Sequence, residues 1–376
     1  MDLENVLLSG RSGRKLELLL RLLQQSRTLP MVIVSDSQSS QLSFLLKERQ
    51  NARVSFIRWS GESACYNFLR HKNEQEMLQF FSQTAVEHGL FDQRQVEAET
   101  LLQCILRLSR YSTDIFNVLA EGRMTSGYLS GELEQQRQRR RLGEEEYAAL
   151  LSNMNSSISA VQHVSLAFRE LFSILANMRG IPFSLQDAIA QRRRVCFCLD
   201  GSAVIRSPCW YLGKMLQYDL CSCLTKTREP FLLLLDLSDK EKLALFSSII
   251  GANRVKVILN VDNTEYLTEN YSASHFSQLY VFSHIDLGSA KYWSDYFATH
   301  KVPEYTYVSS NSRTSQHPLL PFSLASLLGS VSKGEASSYS LVDKPVFEIN
   351  EIRELEDNEC IYYSHKERRP GKLTLR

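Results

Sequence analysis

Residues Asn5–Ser26 read NVLLSGRSGRKLELLLRLLQQS. Val6–Ser9 has strand character, Gly10 and Gly13 flank a basic turn, and from Lys15 apolar residues return every three or four positions to about residue 26. Strand, glycine turn and amphipathic helix are the outline of a phosphate-binding loop opening an α/β unit. Gly10, Ser12, Gly13, Arg14 and Lys15 are therefore the candidate residues for a nucleotide.

A working loop of the form G-x-x-x-x-G-K-[ST] needs backbone amides around the phosphates, a lysine on their charge and a hydroxyl on Mg²⁺. Counting from Gly10 puts Lys15 at the second glycine, Leu16 at the lysine and Glu17 at the hydroxyl position. A one-residue deletion restores Lys15 to the lysine's place and leaves Leu16 at the metal ligand. The hydroxyl is missing on either count, and on the first Glu17 adds a repelling carboxylate. The plain alternative is a tight turn with Arg11, Arg14 and Lys15 in solvent.

The alternation of strand and helix continues outward. PMVIVSD (30–36) and RVSFIRW (53–59) read as strands around a helix at 41–50. RVCFCLD (194–200), PFLLLLDL (230–237), RVKVILNVD (254–262) and QLYVFSHI (278–285) are near-continuous apolar runs, as strands buried on both faces of a parallel sheet require. Between 74 and 180 the pattern is helical, as in EMLQFFSQTAV and AVQHVSLAFRELFSILANM. The expected architecture is an α/β domain of mostly parallel strands over 1–73 and 181–376, an inserted all-α domain over 74–180, and an extended C-terminal tail at 330–376 packed on the α/β domain.

With 376 residues, 43 Lys and Arg against 42 Asp and Glu, and a net charge of +1, nothing global marks a nucleic-acid or membrane-surface protein. Eight irregularly spaced cysteines fit reduced thiols in the cytoplasm. No leader of basic then apolar residues opens the chain, and its longest apolar run is too short to span a bilayer. Cys196/Cys198 and Cys221/Cys223 are C-x-C pairs rather than zinc spacings, so no metal site is expected.

The ordered series of segments resembles the cytosolic part of type IV secretion coupling proteins, the TraG/TraD-like hexameric ATPases of conjugation. It includes the first turn, ACYNFL (64–69), FSLQDAIAQRRRVCFCLDG (183–201), PFLLLLDLSDKEKL (230–243), VKVILNVDNTEYLTENY with a helix reaching Tyr271, an Asp286-x-x-Ser289-Ala290 turn, and FEINEIRELEDNECIYYSHKERRPGKL at the end. The resemblance implies a RecA-like P-loop NTPase fold, the family's all-α domain at 74–180, and ring assembly. It places Asp236 at the Mg²⁺-directing carboxylate of the Walker B strand, Leu237 where the water-polarising Glu belongs, and Asp262 at a nucleotide-sensing glutamine. Leu16, Glu17, Leu237 and Asp262 all remove hydrolytic chemistry while the apolar strands persist.

Two functions follow. One is a hydrolysis-defective adaptor or structural subunit of a secretion or conjugation apparatus, without cofactor. It would be cytoplasmic, partnered by machinery subunits such as an active coupling ATPase, and drawn to the inner membrane only by them. The other is an active ATP-driven DNA or protein translocation motor using ATP and Mg²⁺, with Lys15 on the phosphates, Asp236 on the metal and Arg254 as a finger in trans. Arg137, Arg139, Arg140 and Arg141 form a basic cluster for nucleic acid or a partner, weighed against a solvated helix face in which Arg140 and Arg141 pair with Glu144–Glu146.

Overall fold

The computed structural model describes residues 4–26, 28–36, 54–58, 66–87, 89, 94–112, 114–178, 181–226, 229–252, 254–265, 267, 272–313 and 331–375. The helices expected at 41–50 and up to Tyr271 lie outside these residues, apart from the first few positions of the second. The chain divides into two compact units, Met1–Phe282 with Glu356–Arg376, and Ser283–Leu355.

The larger unit is built on a nine-stranded sheet. Its strands are β1 (Val6–Ser9), β2 (Met31–Asp36), β3 (Val54–Arg58), β4 (Arg194–Leu199), β5 (Phe231–Asp236), β6 (Val255–Val261) and β7 (Gln278–Val281), then β10 (Glu359–Ser364) and β11 (Gly371–Thr374). The order is β11-β10-β7-β1-β6-β5-β2-β4-β3, parallel from β7 to β3, with β10 and β11 antiparallel at one end. Phe231–Leu235 are fully buried, which is why that run carries no polar residue until Asp236. Each such side chain contributes roughly 1.5–3 kcal/mol by leaving water.

Helix α1 (Lys15–Gln25) presents Leu19, Leu20, Leu22 and Leu23 to Val6, Ile33, Leu234 and Ile258 of the sheet. The chain then crosses from β1 over β6 and β5 to reach β2. The carboxyl ends of β1, β6 and β5 therefore lie side by side, and the carboxyl ends of strands are the usual ligand position in open α/β sheets.

Between β3 and β4 the described residues form no strand. They fold as α2 (Glu74–Glu87), α3 (Gln95–Ser109), α4 (Ile115–Ala120), α5 (Ser126–Gln138), α6 (Glu144–Ser157), α7 (Val161–Ala167), α8 (Arg169–Met178) and α9 (Leu185–Ala190). Phe81, Phe116, Phe168 and Phe172 form their shared core. Helix α10 (Pro208–Lys226) follows β4 and holds α2 by Tyr218 Oη donating to Glu76 O (2.9 Å) and Lys214 pairing with Glu87 (2.5 Å). The largely covered side chain of Lys72, just before α2, pairs with buried Asp219 of α10. Gly213 allows close packing, since a Cβ there would lie 2.4 Å from Cδ1 of Leu245, just past α11 (Lys240–Ala244).

The smaller unit holds α12 (Leu287–Tyr296), the hairpin β8 (Thr299–Arg313) with β9 (Val331–Pro345), and α13 (Ile349–Arg353). The expected Asp286 turn is the N-cap of α12, its Oδ1 accepting from Ser289 N at 2.6 Å. Trp293 is fully buried and stacks on Phe297, which meets Phe347. Residues 299–313, expected within the α/β domain of mostly parallel strands, pair instead with 331–345 in a separate antiparallel sheet. The 330–376 tail is divided: 331–345 pairs with β8, whereas 359–374 extends the sheet. No helix of the described residues is long and apolar enough to cross a membrane.

Candidate functional site

Gly10 follows β1 with φ +95°, a left-handed conformation that glycine adopts without steric cost, and its amide donates to Val261 O at 3.0 Å. The turn thereby brings Lys15 back beneath itself. Its Nζ donates to Gly10 O (2.6 Å) and Val261 O (2.8 Å) and lies 3.4 Å from Asp262 Oδ1. Those three contacts use all three ammonium donors. Lys15 is only 6% exposed, so the expectation that it stands in solvent is corrected. Burial lowers its pKa to about 8, against the opposing pull of Asp262.

The outer side of the turn is also engaged. Ser12 Oγ donates to the Asp357 carbonyl, Gly13 N reaches Asp357 Oδ1 at 3.4 Å, and Arg14 N donates to Ser12 Oγ at 3.0 Å. Arg14 pairs with Glu17 (2.8 Å) and exposed Arg11 approaches Asp262 (3.4 Å). Gly13 has no left-handed backbone, and a Cβ there would sit 3.4 Å from Asp357 Oδ2. The glycine whose left-handed backbone the turn requires is Gly10.

Asp236 ends β5 and accepts from Asn260 Nδ2 at 2.6 Å. Burial raises its pKa despite Asn260 and Lys15, so it is a weaker ligand for a hard cation than an exposed carboxylate. Leu237 is buried and supplies no base. Beside it, Lys242 donates to Asp36 Oδ1 (2.7 Å) and Leu199 O (3.1 Å), while Ser238 N donates to Asp36 Oδ2 (2.7 Å). Burial opposes ionisation of Asp36, but Lys242 and Ser238 outweigh it and hold the pKa below the usual value. Among the described residues, no group of three or more His, Cys, Asp or Glu could hold a metal ion.

The groups of the loop that would meet ATP and Mg²⁺ are engaged within the chain in this arrangement. The lysine faces carbonyls, the Ser12 hydroxyl and Gly13 amide face Asp357, and Asp36, Asp236 and Asp262 gather at the strand ends. Arg254 lies at the opposite end of β6, exposed with φ +77°, and cannot reach this edge of its own chain. Sequence reading found Lys15, Asp236 and Asp262 but missed Asp36, Asn260, Lys242 and Asp357. The acids of 356–359 facing the basic turn were the signal for the last of these.

The fold matches solved structures across its length. The bacterial conjugative coupling protein TrwBΔN70, in its unbound monoclinic form, is 15% identical with a TM-score of 0.59, covering 99% of this chain and 84% of that one. The chain has the coupling-protein fold. TrwB in complex with ADP and Mg²⁺ matches at 15% identity and TM-score 0.58, covering 99% and 84%. TrwB in complex with a non-hydrolysable ATP analogue also matches at 15% and 0.58, covering 99% and 85%. No family model and no curated protein matches the sequence. The RecA-like P-loop NTPase architecture and the resemblance to coupling proteins thus hold at the level of fold.

The arginine cluster lies far along this coupling-protein fold from the turn, at the junction of α5 and α6. Helix α5 ends in a reverse turn, with Arg140 N on Arg137 O (2.8 Å), Arg141 N on Gln136 O (3.0 Å) and Arg140 at φ +57°. Arg140 and Arg141 therefore do not share a helix face with Glu144–Glu146. Arg137 pairs with Glu144 (3.0 Å), and Arg141 donates to Tyr111 O (3.3 Å). Arg139 and Arg140 are exposed, with no side-chain partner among the described residues. Replacing both with Gln is expected to leave the melting temperature unchanged. Arg140→Gly should stabilise by about 0.5–1 kcal/mol in urea titrations, glycine being at ease at that φ.

Proposed function

We propose that this protein is a hydrolysis-defective, coupling-protein-like component of a type IV secretion or conjugative DNA-transfer system. It serves as an adaptor or structural subunit and not as the motor. The observation that carries this reading is Lys15, whose ammonium is bound to Gly10 O and Val261 O inside the fold. Leu237 in place of a water-polarising base supports it, since loss of such a group typically costs orders of magnitude in rate.

In this reading the helical region 74–180 is an inserted domain that forms the recognition surface. Arg139 and Arg140 offer their charge there to nucleic acid or to an acidic partner. The other partners are subunits of the machinery, among them an active coupling ATPase with which the chain joins a ring. The protein works in the cytoplasm and meets the inner membrane through those subunits. The test is ATP turnover by the purified chain with Mg²⁺, with and without DNA. Release of phosphate should stay at background, and turnover that Lys15→Ala abolishes would establish the motor instead.

A further inference from the structure

We infer that the turn Glu356–Asn358 is an autoinhibitory clasp on the Gly10–Arg14 loop. The inference rests on the reading of this loop as a disabled nucleotide loop and explains what keeps it shut. Two groups of the loop meet this turn, the Ser12 hydroxyl and the Gly13 amide. Both are committed to Asp357, one to its carbonyl and the other to its carboxylate at 3.4 Å. A phosphate-bearing ligand would need the same groups, and Asp357 meets them with the same sign of charge.

The clasp is held from its far side. Glu356 N donates to Glu359 Oε2 (3.2 Å), and Glu359 pairs with Lys372 of β11 (2.9 Å). Leu375 N donates to Asn358 O at 2.7 Å. The turn therefore leads into the β10–β11 hairpin and is bonded to it, and β10 pairs with β7, next to β1. An open cleft of about 610 Å³ remains beside the contact, lined by Gly13, Arg14, Glu17, Glu356, Asp357 and Asn358. One side of the turn is thereby left open to solvent. The state of the loop is in this way tied to the C-terminal hairpin, and a partner that draws on the hairpin releases the loop.

The experiment compares wild type with Asp357→Ala and the isosteric Asp357→Asn in the full chain, with Glu145→Gln at an exposed position of α6 as control. Backbone amide exchange at Gly13 and Arg14 is read by mass spectrometry and ADP affinity by calorimetry. Loss of the carboxylate should speed exchange roughly tenfold and tighten ADP binding by a similar factor, with the control unchanged. If both Asp357 variants keep wild-type exchange, or bind ADP no better than wild type does, the clasp is refuted. ATP hydrolysis by wild type would instead refute the disabled-loop reading, so the two failures are distinct.

Discussion

Lys72→Met is expected to destabilise the protein by about 3 kcal/mol, the low end of the range for breaking a buried ion pair. The side chains of Lys72 and Asp219 are each less than a tenth exposed, and the Lys72 ammonium lies 4.5 Å from the centroid of the Phe68 ring. Burial lowers the Lys72 pKa to about 8 and drives that of Asp219 well above the carboxylate range. Without its cation Asp219 must stay protonated or be hydrated, and protonation is what keeps the loss at the low end. Because the pair pins the entry to α2 onto α10, the loss should appear as a lower urea midpoint for the larger unit. Lys72→Met combined with Asp219→Leu should recover most of the stability, since no charge is then left stranded. A single-variant loss below about 1 kcal/mol would place the pair in solvent-like surroundings.

Raising the pH from 8 to 10 should favour wild type over Lys15→Met by about 2 kcal/mol. The folded-state pKa of Lys15 is lowered from 10.5 to about 8 by burial. Below pH 8 both states carry the proton and the folded state bears the cost of a buried charge. Between about 8 and 10.5 the folded state has released its proton while the unfolded state has not, so stability rises with pH. Urea titrations of both proteins at each pH isolate Lys15, because the buried Cys and Tyr residues, which act in the opposite direction, cancel in the difference. A flat difference would mean that Lys15 is hydrated and free to meet a phosphate, which would also weaken the proposed function.

Much of the fold was legible because strands buried on both faces carry few polar residues. β2, β4, β5 and β6 stand out for that reason, and Asp236 marks where β5 leaves the core. The hairpin β8–β9 was not legible. Pro303 and the serines of 309–312 read as loop, and its pairing is set by a partner strand some thirty residues away. The break between α5 and α6 was missed because an arginine takes the left-handed position where glycine is the usual signal. At the site, residue types could be read but directions could not. Nothing in GRSGRK distinguishes a lysine reaching outward from one folded under onto Gly10 O and Val261 O. Asp357 and Lys242 were hidden for a simpler reason, being 344 and 206 residues from the partners they meet.

The placing of β11 bears on how the protein resists sticking to itself. An open sheet edge offers unpaired amides and carbonyls to any passing strand, and long flat apolar edges seed aggregation. This edge is four residues long and wholly exposed, follows Pro370, and carries Lys372. A strand so short gives an incoming chain few ladder bonds, proline removes a donor at its start, and the lysine must be desolvated by any neighbour lying flat against it. A protein crowded beside others of its own fold would gain from such an edge, which guards a large apolar sheet against uncontrolled addition.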